Sequence, residues 1–208
     1  KKQKEKFMPN INKSEMMSSQ NHILDISSSL LRVASCLTKI ANDLRWMNSG
    51  PISGLSEIKL KALQPGSSIM PGKINPVIPE AVLMAASQVT GNHSTINLSC
   101  LSSAFQLNTM LPVIAHNVIE SFNILISSVI SITETLDTLT VNHLSMKESL
   151  DRNPIIATKL NEIVGYDKAA QIVKQAYKTN KPILEVAESM TELSKAQLQK
   201  LLDPKKLV

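Results

Sequence analysis

The uncharged stretch from Ala81 to Ile119 decides the fold: AVLMAASQVTGNHSTINLSCLSSAFQLNTMLPVIAHNVI contains no Asp, Glu, Lys or Arg. A membrane span needs about 20 predominantly apolar residues in succession. Polar clusters around Asn92 and Gln106 interrupt this stretch, and each would be costly in lipid. We therefore expect no membrane segment but a helix buried on all sides in a large helical bundle. A chain of 208 residues offers little material to surround such a helix, so the stretch also predicts an oligomer.

Helical periodicity extends on both sides of this stretch. Upstream, apolar residues recur at spacings of three and four, which marks one face of a helix: Ile23, Ile26, Leu30, Val33, Leu37, Ile40 and Leu44. Downstream, Pro112 is suited to open a helix that continues to Leu136. Strand signals are weak, because no clean alternation runs over six residues. The expected fold class is all-α.

The composition changes after about Ser145, where charged residues return. Short helical patterns follow, separated by breaks at Asn153-Pro154, Gly165 and Lys181-Pro182, and the last pattern runs from Ser194 to Leu202. We predict a helical-bundle domain over residues 1–144 and a small C-terminal helical domain over residues 145–208.

Composition also excludes several functions. The net charge of +5 comes partly from lysines at both ends, Lys1 to Lys6 and Lys205 to Lys206, which are typical of solvated termini. Aromatic residues make up only 3%, which leaves few platforms for stacking bases, so nucleic-acid binding is not expected. Cys36 and Cys100 fit a reducing compartment as inert core thiols. The sequence shows no signal peptide, metal-ligand cluster or nucleotide-binding loop, so we expect no cofactor and no metal.

An irregular segment rich in Gly, Pro and Ser separates the first two long helices, from Asn48 to Pro79. Within it lies GSSIMPGKINP, Gly66–Pro76, which we call the signature loop, and Glu80 follows it. Lys73 and Asn75 are two residues apart, so in an extended stretch they can face one side and hold a substrate carboxylate. Backbone N–H groups near the two glycines would add donors.

Ser67 or Ser68 could act as a base only if the surroundings lowered its pKa strongly. From the residues alone, a plain Ser- and Gly-rich connector remains an equal alternative to a functional loop.

The loop resembles the signature of the fumarase/aspartase superfamily, GSSxMPxKxN, at every fixed position. Lys39–Trp46, KIANDLRW, and Gly165–Ala170, GYDKAA, extend the resemblance and favour the class II fumarases. Gln106 in FQLN departs from the FELN common in fumarases and resembles aspartases. Aspartate ammonia-lyase therefore remains an alternative, and so does a non-catalytic helical scaffold that has kept only the fold.

The resemblance implies reversible hydration of fumarate to L-malate through an aci-carboxylate intermediate, without a metal. It assigns Ser67 as the base that removes the carbon-bound proton, and Lys73 and Asn75 as the groups that hold the reacting carboxylate. Ser68 would assist in binding, and Glu80 would orient a catalytic histidine.

None of the four histidines in the chain, His22, His93, His116 and His143, matches the family's catalytic motifs. Members of the superfamily are about twice this long, and their sites combine three subunits of a homotetramer. The resemblance thus implies a C-terminal portion of a cytoplasmic enzyme, or a mitochondrial-matrix one if eukaryotic. We expect this portion to supply one wall of the site and to be inactive alone.

Overall fold

The computed structural model describes residues 8–64 and 66–206, so the basic start Lys1–Lys6 lies outside the described residues. It contains nine α-helices: α1 Lys13–Ser18, α2 Asn21–Met47, α3 Val77–Cys100, α4 Leu111–Thr138, α5 His143–Arg152, α6 Asn161–Val164, α7 Tyr166–Thr179, α8 Ile183–Met190 and α9 Lys195–Leu201. Two 3₁₀-helices, Pro154–Leu160 and Pro204–Lys206, and two short strands that form one sheet, β1 Ile58–Lys59 and β2 Thr140–Val141, complete the described part. The all-α fold class is confirmed.

The described chain forms two compact units. The bundle unit contains the described residues up to Gly54 together with Ile58–Thr140. The C-terminal unit contains Leu55–Glu57 together with the described residues from Val141 onward. Within the C-terminal unit, Asn142 donates its backbone N–H to the Glu57 carbonyl at 2.8 Å, which ties the two pieces of chain together.

In the bundle unit, α2, α3 and α4 pack around a core of small and medium-sized residues: Ala34, Leu37, Ala41, Leu44, Val82, Ala86, Val89, Leu125 and Ile132. Only some of the apolar residues that were predicted to form one face of α2 lie in this core. Ile26, Val33 and Ile40 are about two-fifths exposed, whereas Ala34 and Ala41 are buried. Because the helices approach over small side chains, the larger residues lie beside the line of contact.

The uncharged stretch is not one buried helix, and that prediction is wrong. It covers most of α3, a non-helical connection over residues 101–110 and the first turns of α4, where Pro112 lies in the first turn as predicted. Each helix buries one face within this chain. Among the described helices, α4 alone is long and apolar enough to cross a membrane by length and composition, with a mean hydropathy of 1.5, and most of it is not buried.

Polar contacts fix the register between the helices of the bundle unit. The buried Asn92 of α3 donates through Nδ2 to Glu120 Oε2 at 2.8 Å and to Ser121 Oγ at 3.1 Å, both on α4. The buried Ser27 hydroxyl on α2 lies 2.9 Å from His93 Nδ1 on α3. A buried polar group needs a partner, so sliding a helix by one turn would leave these groups unsatisfied. Asn92 and His93 of the uncharged stretch therefore serve packing between helices.

The C-terminal unit has its own core: Ile156, Ala157, Leu160, Ala169, Ile172, Ala176, Ile183, Val186, Ala187, Leu198 and Leu202. Its helices begin and end at the predicted breaks. Asn153 caps the 3₁₀-helix by accepting the N–H of Ile155 at 3.0 Å, and Ser194 and Gln197 form a capping box at α9.

The two cysteines lie in different environments. Cys100 is buried, and burial raises the pKa of its thiol. Cys36 is exposed on α2, so the expectation of a core thiol is wrong at that position.

Candidate functional site

The backbone of the signature loop closes on itself. The Gly66 N–H donates to the Lys73 carbonyl at 3.0 Å, and the Lys73 N–H donates to the Met70 carbonyl at 3.3 Å. Gly72 has a φ of +79°, a left-handed conformation that glycine adopts at little cost. A Cβ at Gly66 would overlap the Lys73 carbonyl, so this position also requires glycine. The two glycines predicted to shape the loop therefore do so, one by conformation and one by close approach.

Ser67 lies inside this closed loop. Its Oγ accepts the backbone N–H groups of Ile69 at 3.1 Å and Met70 at 3.2 Å, and the side chain is half-buried. Two donors aimed at one oxygen stabilise negative charge there, which is the environment that a serine base needs. Ser68 is exposed, so the structure separates two serines that the residues alone left equivalent.

Lys73 shares a cleft with Ser67. The cleft has a volume of about 490 Å³, and Met70 and Gly72 also line it. The Lys73 side chain is exposed, which leaves its ammonium accessible to an anion. The base and the cation that the resemblance assigns are thus brought to one concavity.

Asn75 does not share that cleft. Its Nδ2 donates to the Gly66 carbonyl at 2.8 Å, and its half-buried side chain lines a neighbouring cavity of about 270 Å³ that Pro76 and Glu134 also line. Asn75 and Lys73 thus line separate cavities, and the expectation that they hold one carboxylate stays a prediction.

Glu80 lies in the first turn of α3, half-buried, where the helix dipole favours a carboxylate. It lines a third cleft, of about 360 Å³, together with Arg45, Trp46 and Ile74. Arg45 and Trp46 belong to the stretch KIANDLRW, to which sequence reasoning gave no site role. The sequence did contain an indication of their position near the loop. A cation and the single Trp of the sequence lie at the end of a predicted helix, just before the irregular segment.

No histidine among the described residues lines any of these three clefts. His93 is half-buried against Ser27, and the other three histidines, His22, His116 and His143, are exposed. Within residues 8–64 and 66–206, no group of three His, Cys, Asp or Glu residues is arranged to hold a metal ion. The site described by this chain therefore consists of a serine, a lysine, an asparagine and a glutamate without an imidazole.

Two protein families match the sequence. A lyase family model matches residues 3–91, which include the signature loop, and a fumarase C C-terminus model matches residues 156–208. Among solved structures, a fumarate lyase:delta crystallin from Brucella melitensis superposes with a TM-score of 0.89 at 39% identity, covering 97% of this chain and 44% of that one. A class II fumarase from Schistosoma mansoni superposes with a TM-score of 0.86 at 31% identity, covering 96% and 42%.

The helical bundle, the loop and these matches define a class of protein: the chain belongs to the fumarase/aspartase superfamily. Within it, the chain is similar to the class II fumarate hydratases. It is 50% identical over 194 residues to that of Xylella fastidiosa and 49% identical over 202 residues to one from Pseudomonas aeruginosa. The chain spans about two fifths of the length of these relatives, 41% and 44%.

Proposed function

We propose that this chain is part of a class II fumarate hydratase that interconverts fumarate and L-malate. The observation that carries the proposal is the Ser67 oxygen, which accepts two backbone N–H groups in a cleft that it shares with Lys73. Two further facts support it: the signature loop lies within the lyase match, and relatives at about 50% identity carry this name.

In the direction of dehydration, Ser67 removes a proton from the carbon next to a carboxylate of malate. The electrons of that C–H bond move into the carboxylate and give a doubly charged aci-carboxylate. The donors from Ile69 and Met70 stabilise the serine oxygen before the transfer. Lys73, exposed in the same cleft, neutralises the charge that develops on the carboxylate.

Two other loop residues complete the substrate contacts. The Asn75 carboxamide has a second N–H beyond the one bonded to Gly66, so it keeps a donor for a substrate. Ser68, exposed beside the base, adds a hydroxyl donor. The charged group and the neutral donors together hold the reacting carboxylate while the double bond forms.

Glu80 acts on the acid side, where the hydroxyl leaves as water. A carboxylate that accepts an imidazole N–H fixes the tautomer of the histidine and stabilises its protonated form. The cleft of Glu80, Arg45 and Trp46 is open and contains no histidine among the described residues. We infer that the imidazole comes from another part of the whole protein or from another subunit.

The exposed apolar faces support a homotetramer with shared sites. Large apolar residues at the surface of α2 and α4 would be covered in an assembly: Ile26, Val33, Ile40, Ile119, Phe122, Ile126, Val129 and Ile130. We propose the cytoplasm as the compartment, and we propose that the bundle unit and the C-terminal unit correspond to domains of the enzyme, with a boundary near residue 144.

A chimera tests the activity. This chain replaces the matched 194-residue segment of the Xylella fastidiosa relative, and fumarate absorbance is followed with L-malate and then with L-aspartate. We expect activity with malate and a loss of about 100-fold or more in Ser67→Ala, since a positioned base typically contributes at least that factor. Ser87→Ala, which removes an exposed serine hydroxyl from α3, is the matched control and retains activity.

Three outcomes would count against the proposal. Activity with aspartate in place of malate would identify an ammonia-lyase. A folded, assembled chimera that is silent with both substrates would favour the non-catalytic scaffold. Full activity in Ser67→Ala would remove Ser67 as the base.

A further inference from the structure

The backbone of Gly66 is held through both of its polar groups. Its N–H donates to the Lys73 carbonyl at 3.0 Å, and its carbonyl accepts the Asn75 amide at 2.8 Å. The first bond closes residues 66–73 into a ring, and the second fastens this ring to the segment that leads into α3. The start of the signature loop is thereby joined twice to its end.

We propose that Asn75 and Gly66 form a clasp that positions Ser67 against Lys73. Ser67 follows Gly66 directly, and the Lys73 carbonyl is the acceptor of the Gly66 N–H. The separation between the base and the ammonium-bearing residue therefore depends on this pair of bonds. Asn75 is then a positioning residue as well as a substrate contact, and the kinetic part of this inference rests on the proposed function.

The chemistry of the two groups allows both roles at once. A carboxamide carries two N–H donors, so the bond to Gly66 leaves one for a substrate carboxylate. Its half-buried position beside the exposed Lys73 limits competition from water for the Gly66 carbonyl. One carboxamide can therefore hold the loop and still donate to a substrate.

The close approach at Gly66 provides an independent way to open the clasp. A Cβ at this position would overlap the Lys73 carbonyl oxygen, so Gly66→Ala pushes the start and the end of the loop apart. The substitution leaves the Asn75 carboxamide present. If Asn75 serves only to bind substrate, Gly66→Ala has no reason to reproduce its loss. If the clasp exists, both substitutions disturb the same geometry.

Limited trypsin digestion tests the clasp on this chain itself, without any activity. Trypsin cuts after Lys73 when the loop opens, and the exposed Lys61 earlier in the same irregular segment is the internal reference. We expect Asn75→Ala and Asn75→Asp to raise the ratio of cleavage at Lys73 to cleavage at Lys61 about fivefold, the size expected for one lost hydrogen bond. Gln64→Ala, which removes another exposed carboxamide, leaves the ratio unchanged. An unchanged ratio in both Asn75 variants overturns the clasp.

A double-mutant cycle in the Xylella chimera tests the positioning role. The clasp predicts that Gly66→Ala lowers kcat about tenfold with little change in KM, since the substrate donor remains. Asn75→Ala lowers kcat and raises KM. The double variant is no slower in kcat than Asn75→Ala alone, because both changes remove one shared arrangement. Independent losses that multiply in kcat contradict the clasp. If the chimera lacks activity, the proposed function fails, while the trypsin ratio still decides the clasp.

Discussion

The bundle unit and the C-terminal unit differ in how completely each buries its apolar residues. The C-terminal unit, built from helices of 4 to 14 residues, encloses Leu160, Ile172, Ile183 and Leu198 with no exposure at all. The bundle unit contains helices of 24 to 28 residues, yet Ile119, Ile126 and Ile130 on α4 remain more than half exposed. One unit completes its core within the chain, and the other leaves large apolar residues at its surface.

The cause lies in the outer faces of the helices. The outward positions of α7 carry charged residues such as Lys168, Lys174 and Lys178, which water solvates. The outward positions of α4 carry isoleucine and valine, which water does not solvate well. Large apolar side chains grouped at a surface are typical of an interaction site. The C-terminal unit is therefore self-sufficient, and the bundle unit has apolar surface that the proposed assembly would cover.

The largest expected effect is on the complete core. Ile172→Ala leaves a cavity in the fully buried centre of the C-terminal unit, and we expect about 3–4 kcal/mol of destabilisation, within the range for such truncations. Hydrogen exchange of the α7 backbone amides measures it. Ile163→Ala truncates an isoleucine that is about half exposed and should cost less than about 1 kcal/mol. Equal effects of the two substitutions would show that the C-terminal core is not closed as described.

The second expected effect is on the incomplete surface. Ile126→Lys places a charge on the exposed face of α4 and should weaken self-association about tenfold to a hundredfold, the value of one buried isoleucine side chain. Sedimentation velocity over a concentration series measures the change. Thr133→Lys adds the same charge at an exposed polar position of α4 and serves as the control.

Two results would break the assignment of this face to assembly. Self-association that Ile126→Lys leaves unchanged would place the contact elsewhere. Sedimentation with lipid vesicles, in place of a defined oligomer, would assign α4 to a membrane, a role that its length and composition also permit.

The smallest effect concerns two thiols of the bundle unit. Burial raises the pKa of Cys100, so at any given pH its thiolate fraction is lowered, and its alkylation begins at higher pH. Cys36 is exposed and accessible to reagent. We expect iodoacetamide at pH 8 to modify Cys36 at least about tenfold faster than Cys100, measured by mass spectrometry of the two peptides. Equal rates would mean that Cys100 is not shielded.

Several helix ends follow from local rules, which explains why sequence reasoning located them, although it missed the connection over residues 101–110. Pro112 opens α4, Ser194 caps α9, and Gly165 separates α6 from α7. The orientation of α2 does not follow from local rules. Periodicity marks a broad apolar face, and only the approach over Ala34 and Ala41 decides which part of it is buried.

The candidate site likewise has features that the sequence predicted and features that only the structure shows. The loop and its chemistry-bearing residues, Ser67, Ser68, Lys73, Asn75 and Glu80, were identified from the sequence because their residue types and spacing form a recognisable string. The residue types alone left the two serines equivalent, and only the resemblance distinguished Ser67; the structure adds that the backbone N–H groups of Ile69 and Met70 donate to its oxygen. The pattern of side chains in a sequence does not reveal which backbone N–H groups donate to a hydroxyl.

The sequence by itself determined the all-α class, the breaks between helices of the C-terminal unit and the resemblance of the signature loop, because these depend on residues close together along the chain. The tertiary structure alone decided that Asn75 contacts Gly66, that Glu80 lies in a cleft with Arg45, and that one face of α4 stays uncovered. These features depend on where the backbone turns and which helices approach each other, and such contacts between distant positions are set by packing of the whole unit.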